Sequence, residues 1–232
     1  FVKGKVFDNI LDVDDKNKRS TYYFELVRIL ARLHNIKFEK IGLDGFGKKG
    51  DYVNRQIFRW QKQWNLSKQR ELIEMDKIIE WLKNNLPKYD DTSIVHGDFR
   101  IGNAIFSNNG NSIEAILDWE LSTLGHPFAD LGYFLYSHYI PYGQRHGLKG
   151  KNLASLNIPS KEELIIEYCK IRNIEKIDPT YYVVLSLFRS ISILEGVYAR
   201  YVNGNESSPS AKEIGKDVEP LAKATFNIIK NL

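Results

Sequence analysis

The sequence predicts a mainly helical α+β fold with one small β-hairpin. Three observations carry that prediction. Apolar residues recur at i, i+3, i+4, i+7 spacing through most of the 232 residues, which places them on one face of successive amphipathic helices. Short runs of strand character occur only in the middle of the chain. Hydrophobic residues make up 43% and aromatic residues 12%, enough to build a packed core and too much for a disordered chain. At ~150 residues per domain, the length fits one full domain or two small lobes. No internal repeat and no low-complexity linker divides residues 1–232.

The first helix is read from Ser20 onward, where Tyr23, Leu26, Val27, Leu30 and Leu33 share a face and Ser20 or Thr21 is the cap. A glycine-rich loop from Gly42 to Gly50 follows. A second helix runs from about Tyr52 to Trp64. A third spans 70–86, with Met75, Ile79, Leu82 and Leu86 on one face, and Pro87 ends it. Residues 93–96 read as a short strand or extended entry. Residues 104–106 and 113–117 read as two strands joined by the turn-forming run Asn108-Asn109-Gly110-Asn111, which makes a hairpin. After Pro127 the helical period returns through Leu135 and Tyr139. Residues 141–160 form a loop punctuated by Pro141, Gly143, Gly147, Gly150 and Pro159. Helices then occupy about 161–172, 179–202 and 211–231.

Composition excludes several classes. No stretch approaches ~18 consecutive apolar residues, which excludes a membrane span, and the N-terminal FVKGKVFDN has no apolar signal run. The single cysteine, Cys169, excludes an intrachain disulfide framework and a cysteine-rich metal site. It reads as a buried small hydrophobe in a cytoplasmic protein. Lys+Arg 33 against Asp+Glu 29 gives a net charge of +4, scattered rather than gathered into the basic stripe of a nucleic-acid binder. His34, His138 and His146 lack metal-ligand spacing, and Trp60, Trp64 and Trp81 fit helix core faces. Gly45-Phe46-Gly47-Lys48-Lys49-Gly50 matches G-x-G-x-x-G, but it lies between helices, and position 71 falls in a helical pattern instead of at a strand end. It reads as a flexible surface loop.

The chemistry is concentrated in His96-Gly97-Asp98-Phe99-Arg100-Ile101-Gly102-Asn103 and in Ile116-Leu117-Asp118-Trp119-Glu120. Phosphoryl transfer needs a carboxylate to orient the attacking hydroxyl and magnesium to neutralise the phosphates, and magnesium takes carboxylate and amide oxygens. An Asp with an Asn five residues on supplies the carboxylate and one metal ligand. A hairpin after Asn103 returns Asp118 beside them, so Asp98, Asn103 and Asp118 are expected to converge. Each residue alone could be a turn carboxylate or a strand-end cap; the combination at this spacing is far more selective.

HGDFRIGN resembles the catalytic loop of the aminoglycoside-phosphotransferase-like kinases, and ILDWE followed by LSTLGHPFADLGYFL resembles their metal-binding segment and the helix after it. The match is to the branch of kinase-like domains at the N-terminus of acyl-CoA dehydrogenase family proteins and their stand-alone bacterial relatives. LARLH, RQIFRWQKQW and MDKIIEWLKNNLP resemble further helices of that branch, so the resemblance covers essentially the whole chain. It implies the large C-terminal lobe of a protein-kinase-like fold over 1–232, with residues 1–10 as the crossover from a missing small lobe. It implies Asp98 as catalytic base, Arg100 facing the transferred phosphate, Asn103 and Asp118 as magnesium and nucleotide ligands, and Glu120 near a second metal or the substrate. Asp130 would accept hydrogen bonds from the catalytic loop, and His96 would shape it. His126 departs from the branch, where Gly-Asp-Pro is usual.

The cofactors so implied are magnesium and ATP, and the partner a small-molecule hydroxyl substrate: a hydroxyacyl thioester or hydroxy acid, with choline or homoserine as alternatives. The aromatic stretch from Tyr133 to Tyr142 contains no Asp or Glu, unlike a pocket for a polycation. A non-catalytic interaction or regulatory module that kept the fold, and a metal-dependent hydrolase using His96, Asp98, Asp118 and His126, are the competing readings. Oligomeric state is not legible.

Overall fold

The structure, a computed structural model, describes residues 1–108, 112–205 and 209–232. Its helices are α1 (Lys16–Asn35), α2 (Tyr52–Ser67), α3 (Ile73–Asn84), α4 (Pro127–Leu135), α5 (Lys161–Arg172), α6 (Thr180–Val202) and α7 (Pro209–Lys230). Between α3 and α4 lie four short strands, β1 (Ser93–Val95), β2 (Ala104–Phe106), β3 (Ile113–Ile116) and β4 (Thr123–Gly125). The mainly helical reading with a central hairpin holds.

Helix ends follow local chemistry. α1 begins at Lys16, ahead of Ser20, because the Asp15 side chain accepts the Asn17 N–H at 3.1 Å and caps it there. α5 carries a capping box: the Glu163 N–H donates to Ser160 Oγ and the Ser160 N–H to the Glu163 carboxylate. α3 is shorter than its periodicity predicts. It ends at Asn84, where the Asn85 side chain donates to the Trp81 carbonyl at 2.9 Å. Leu86 is therefore exposed, and Ile78 joins Met75, Ile79 and Leu82 in the core.

β2 and β3 pair antiparallel, Ala104 opposite Ile116 and Ile105 opposite Ala115. Of the turn expected at Asn108–Asn111, residues 109–111 lie outside the described residues. Lys5 adds to the free edge of β2 through two 2.8 Å backbone bonds with Phe106. A second two-stranded sheet pairs β1 with β4, Ile94 opposite Leu124. β4 has no counterpart in the sequence reading, because three residues carry no usable alternation. The glycine-rich segment is not a loose surface loop: a Cβ on Gly47 would lie 2.3 Å from Thr123 Oγ1 and 2.7 Å from Leu124 N, so the loop is seated on β4.

α6 forms the axis of the core, packed by α2, α3, α4 and α7. Among the described residues it is the one helix long and apolar enough to cross a membrane, and 72% of that apolar window is buried inside the fold. Trp64 and Cys169 are buried, while Trp60 and Trp81 pack on the core from its edge. α4 crosses α6 at Gly132, where an added Cβ would lie 2.4 Å from the Tyr182 carbonyl carbon and 2.7 Å from Val183 N. Backbone cannot yield as a flexible side chain does. Gly132→Ala is therefore expected to cost roughly 1–3 kcal/mol, read as a lower urea midpoint with an unchanged slope. An unchanged midpoint would show that the two helices have room to spare.

Candidate functional site

β1 delivers the chain into a tight turn at His96–Asp98. Gly97 adopts φ +86°, a conformation that favours glycine, and a Cβ there would lie 2.6 Å from the Leu121 carbonyl oxygen. The turn is held by Asp130, in the first turn of α4, whose Oδ2 accepts the His96 N–H at 2.6 Å and whose Oδ1 accepts the Gly97 N–H at 2.9 Å. Behind it, His34 Nε2 of α1 faces Asp130 Oδ2 at 3.4 Å, and the Tyr168 hydroxyl of α5 meets His34 Nδ1 at 2.7 Å. Burial is the largest influence on His34 and pushes its pKa down. The neutral ring then donates from Nε2 to the carboxylate and accepts the Tyr168 O–H at Nδ1.

His96 ties the two halves of the site together. Its Nδ1 accepts the Asp98 N–H at 3.2 Å, and its Nε2 donates to the Leu117 carbonyl at 2.8 Å. Both ring nitrogens are thus committed to backbone. Asn103 Nδ2 donates to both the carbonyl oxygen and Oδ2 of Asp98, each at 2.8 Å. The Leu117 N–H then donates to the Asn103 carbonyl at 2.7 Å. Residue 117 is thus fixed to both ends of the loop, and Asp118 follows immediately, exposed and at φ +66°. The Trp119 ring lies 4.7 Å from the His96 ring, and its Nε1 donates to Ile116.

Asp98, Arg100, Asp118 and Glu120 line one open cleft of about 470 Å³, with Asp8, Tyr133, Arg145, His146, Arg189 and the aliphatic Leu121, Ile193 and Leu194. Asn103 is buried directly against Asp98. Arg100 pairs with Asp8 at 3.0 Å and lies 3.7 Å from Asp98 Oδ2. Burial opposes its charge, but these two carboxylates outweigh that and hold its pKa above the ordinary value. Among the described residues no three His, Cys, Asp or Glu side chains gather into a metal cluster. The available donor set is instead one exposed carboxylate, Asp118, and the Asn103 amide oxygen left when Nδ2 binds Asp98. That is a partial oxygen set of the kind a hard cation completes with water and phosphate oxygens.

His126 stands outside this arrangement. It is buried as the cap of α4, where its Nδ1 accepts the Phe128 N–H at 3.3 Å and its Nε2 meets the Tyr182 hydroxyl at 3.0 Å. His96 and His126 are both engaged structurally, which leaves the hydrolase reading without its histidines. Asp8 and Arg189 were not legible as site residues, whereas Tyr133 opens the aromatic stretch read as pocket. Burial and then the Asp98 charge push the Tyr133 pKa up, so its phenol remains protonated beside that carboxylate. Arg189 had one signal, a lone charge inside the apolar run Leu185-Ser186-Leu187-Phe188-Arg189.

Comparison with known proteins shows the family and the fold. The phosphotransferase enzyme family matches residues 1–152. Acyl-CoA dehydrogenase family member 11 of Gallus gallus is 38% identical over 242 residues, covering 100% of this chain and 30% of its own length. The chain spans 20–30% of the length of the curated relatives it matches first. A candidate aminoglycoside phosphotransferase of Ralstonia eutropha superposes with a TM-score of 0.94 at 37% identity, over 100% of this chain and 71% of the other. A spectinomycin phosphotransferase in complex with ADP and spectinomycin shares the fold, with a TM-score of 0.58 at 15% identity over 99% and 70% of the two chains.

Buried histidines give the fold a pH dependence. Burial lowers the pKa of His34, His126 and His138 below the ordinary 6.5. As pH falls below about 6.5 the unfolded chain takes up protons that the folded one refuses. The stability linked to these groups is therefore fully present above that pH and declines below it, until the lowered folded values are passed. Urea midpoints should fall between pH 6.5 and 5, and His34→Gln should flatten that slope. An equal slope in the variant would show that His34 does not contribute.

Proposed function

The chain belongs to the phosphotransferase enzyme family, and on that premise we propose that it is the large lobe of a magnesium- and ATP-dependent kinase acting on a hydroxyl of a small molecule. One observation carries the reading: the Asn103 amide binds Asp98 while its carbonyl binds the strand end that bears Asp118. This supports reading Asp98 as the base and Asp118 with the Asn103 oxygen behind Asp98 as metal donors, Asp98 and Asp118 lining one cleft. The nucleotide part of the reading draws support from the shared fold of the ADP-bound spectinomycin phosphotransferase.

In this reading Asp98 orients the attacking hydroxyl and receives its proton. Its carboxylate is pre-aimed by Asn103, with the Arg100 guanidinium 3.7 Å away. Asp118 and the Asn103 oxygen would hold magnesium, and exposed Glu120 would serve a second ion or the substrate. Bound magnesium supplies charge neutralisation of the phosphates, the principal electrostatic need of phosphoryl transfer. The left-handed backbone at Asp118 turns the chain sharply there, and the residue is exposed to the cleft, open to a cation from solvent. The strand-rich small lobe, with the loop and lysine that cover the nucleotide phosphates, would complete the site; residues 1–10, bridged to β2 at Lys5, are read as the crossover to it.

The cleft favours a hydroxyacyl or hydroxy-acid substrate over an aminoglycoside. Leu121, Ile193 and Leu194 offer an aliphatic wall, Tyr133 and Tyr136 an aromatic one, and Arg145 and Arg189 cationic charge. Beyond Asp98, Asp118 and Glu120, its one remaining carboxylate, Asp8, is paired to Arg100, so little is left to bind a polycation.

Two substitutions in the full-length protein separate base from metal ligand. Asp98→Asn should remove ~10²–10⁴ of turnover with nucleotide binding nearly intact. Asp118→Asn should raise the magnesium requirement and weaken nucleotide binding as well. Steady-state rates against magnesium concentration decide. Matching magnesium dependence in the two variants would reverse or remove the assignments, and wild-type turnover in Asp98→Asn would sink the kinase mechanism.

A further inference from the structure

Arg189 occupies an unusual place for a charge. It sits on α6, directly after buried Phe188, and is itself half-buried. Its Nη1 donates to the carbonyl oxygen of Gly97, and its guanidinium lies 5.6 Å from the ring centroids of both Trp60, on α2, and Tyr133, on α4. A methionine or leucine would satisfy the helix packing without the cost of partly desolvating a cation. The contact it makes with the loop is therefore the feature to explain.

The Gly97 carbonyl and the Asp98 N–H belong to one rigid peptide plane. The N–H end is held by His96 Nδ1 at 3.2 Å, and Arg189 holds the oxygen. The two preceding amides are taken by Asp130. Such fixing is needed because glycine passes between left- and right-handed conformations at little cost. Rotation at Gly97 would turn this plane and swing the Asp98 side chain away from Asn103. Asp130 holds the two amides before it, and the plane that leads into Asp98 is fixed at its N–H end by His96 and at its oxygen end by Arg189. A guanidinium stacked between two rings offers a donor in a fixed direction, which a flexible ammonium does not.

We infer that Arg189 is a positioning residue for phosphoryl transfer: it clamps the Gly97 carbonyl and so aims the Asp98 carboxylate into the cleft. The inference rests on reading Asp98 as the base. Arg189 also borders the cleft beside Asp98 and Asp118, so loss of its side chain opens a space that a free guanidinium ion can enter from solvent.

The test uses full-length protein as wild type, Arg189→Lys and Arg189→Met. Hydrogen exchange is read by mass spectrometry on peptides covering 94–103 and on peptides from α2 and α6. Arg189→Met should exchange about tenfold faster in the loop peptide, as expected for one lost fixing hydrogen bond, with α2 and α6 unchanged. Millimolar guanidinium, but not ammonium, should reverse the change, and Arg189→Lys should fall between. With magnesium-ATP and water as acceptor, kcat should drop about tenfold or more while the nucleotide KM stays within about twofold. Unchanged loop exchange, faster exchange spread through α6, or an unchanged kcat would each overturn the inference. Absence of ATP turnover in the wild type would count against the kinase reading instead, and the exchange result alone would then decide whether Arg189 holds the loop.

Discussion

The arrangement depends on one buried carboxylate. Asp130 takes the backbone N–H groups of His96 and Gly97 on its two oxygens, and it lies in the first turn of α4, where the helix dipole favours negative charge. A buried carboxylate tolerates its burial only when fully hydrogen-bonded, and the turn at Gly97 can be held in its left-handed conformation only from outside. Each solves the other's problem. Because α4 is in turn pressed onto α6 at Gly132, the position of the turn at His96–Asp98 is set by helix packing and not by the loop itself. His34 and Tyr168 extend the same polar chain to α1 and α5, so elements far apart in sequence meet behind the turn.

Polar residues divide by exposure into holders and actors. Asp130, His34, His96 and Asn103 are buried, and each is occupied with backbone or with another holder. Asp118 and Glu120 are exposed and line the cleft. His96 stands at the junction. By accepting from Asp98 and donating to Leu117, it converts two segments that are each flexible in isolation into one rigid rim. Under the proposed function, this is the preorganisation that electrostatic catalysis requires, since groups already in place need not be ordered during the reaction.

The candidate site was legible to the extent that it is sequence-local. Asp98, Arg100, Asn103, Asp118 and Glu120 lie within 23 positions of one another, and the hairpin signal was sufficient to bring the two clusters together. Asp8 and Arg189 were missed because their relevance comes from contacts spanning 92 positions, made by elements whose mutual packing the sequence does not display. His34 was read as an ordinary histidine. Its partnership with Asp130 spans 96 positions, and nothing in its own helix announces it.

What the sequence determined alone was the set of helices, the hairpin and the chemical identity of the central loop. These follow from side-chain period and turn chemistry, which act over a few residues and are written in the residues themselves. Tertiary structure decided the rest. It paired β1 with β4, two segments of three residues each that are too short to hold any conformation before α4 positions them. It seated Gly47 on β4, where backbones approach closely. It also made His126 a helix cap and left Leu86 in solvent. In each case the deciding energy is a contact between distant parts of the chain, and such a contact exists only after the chain has folded around it.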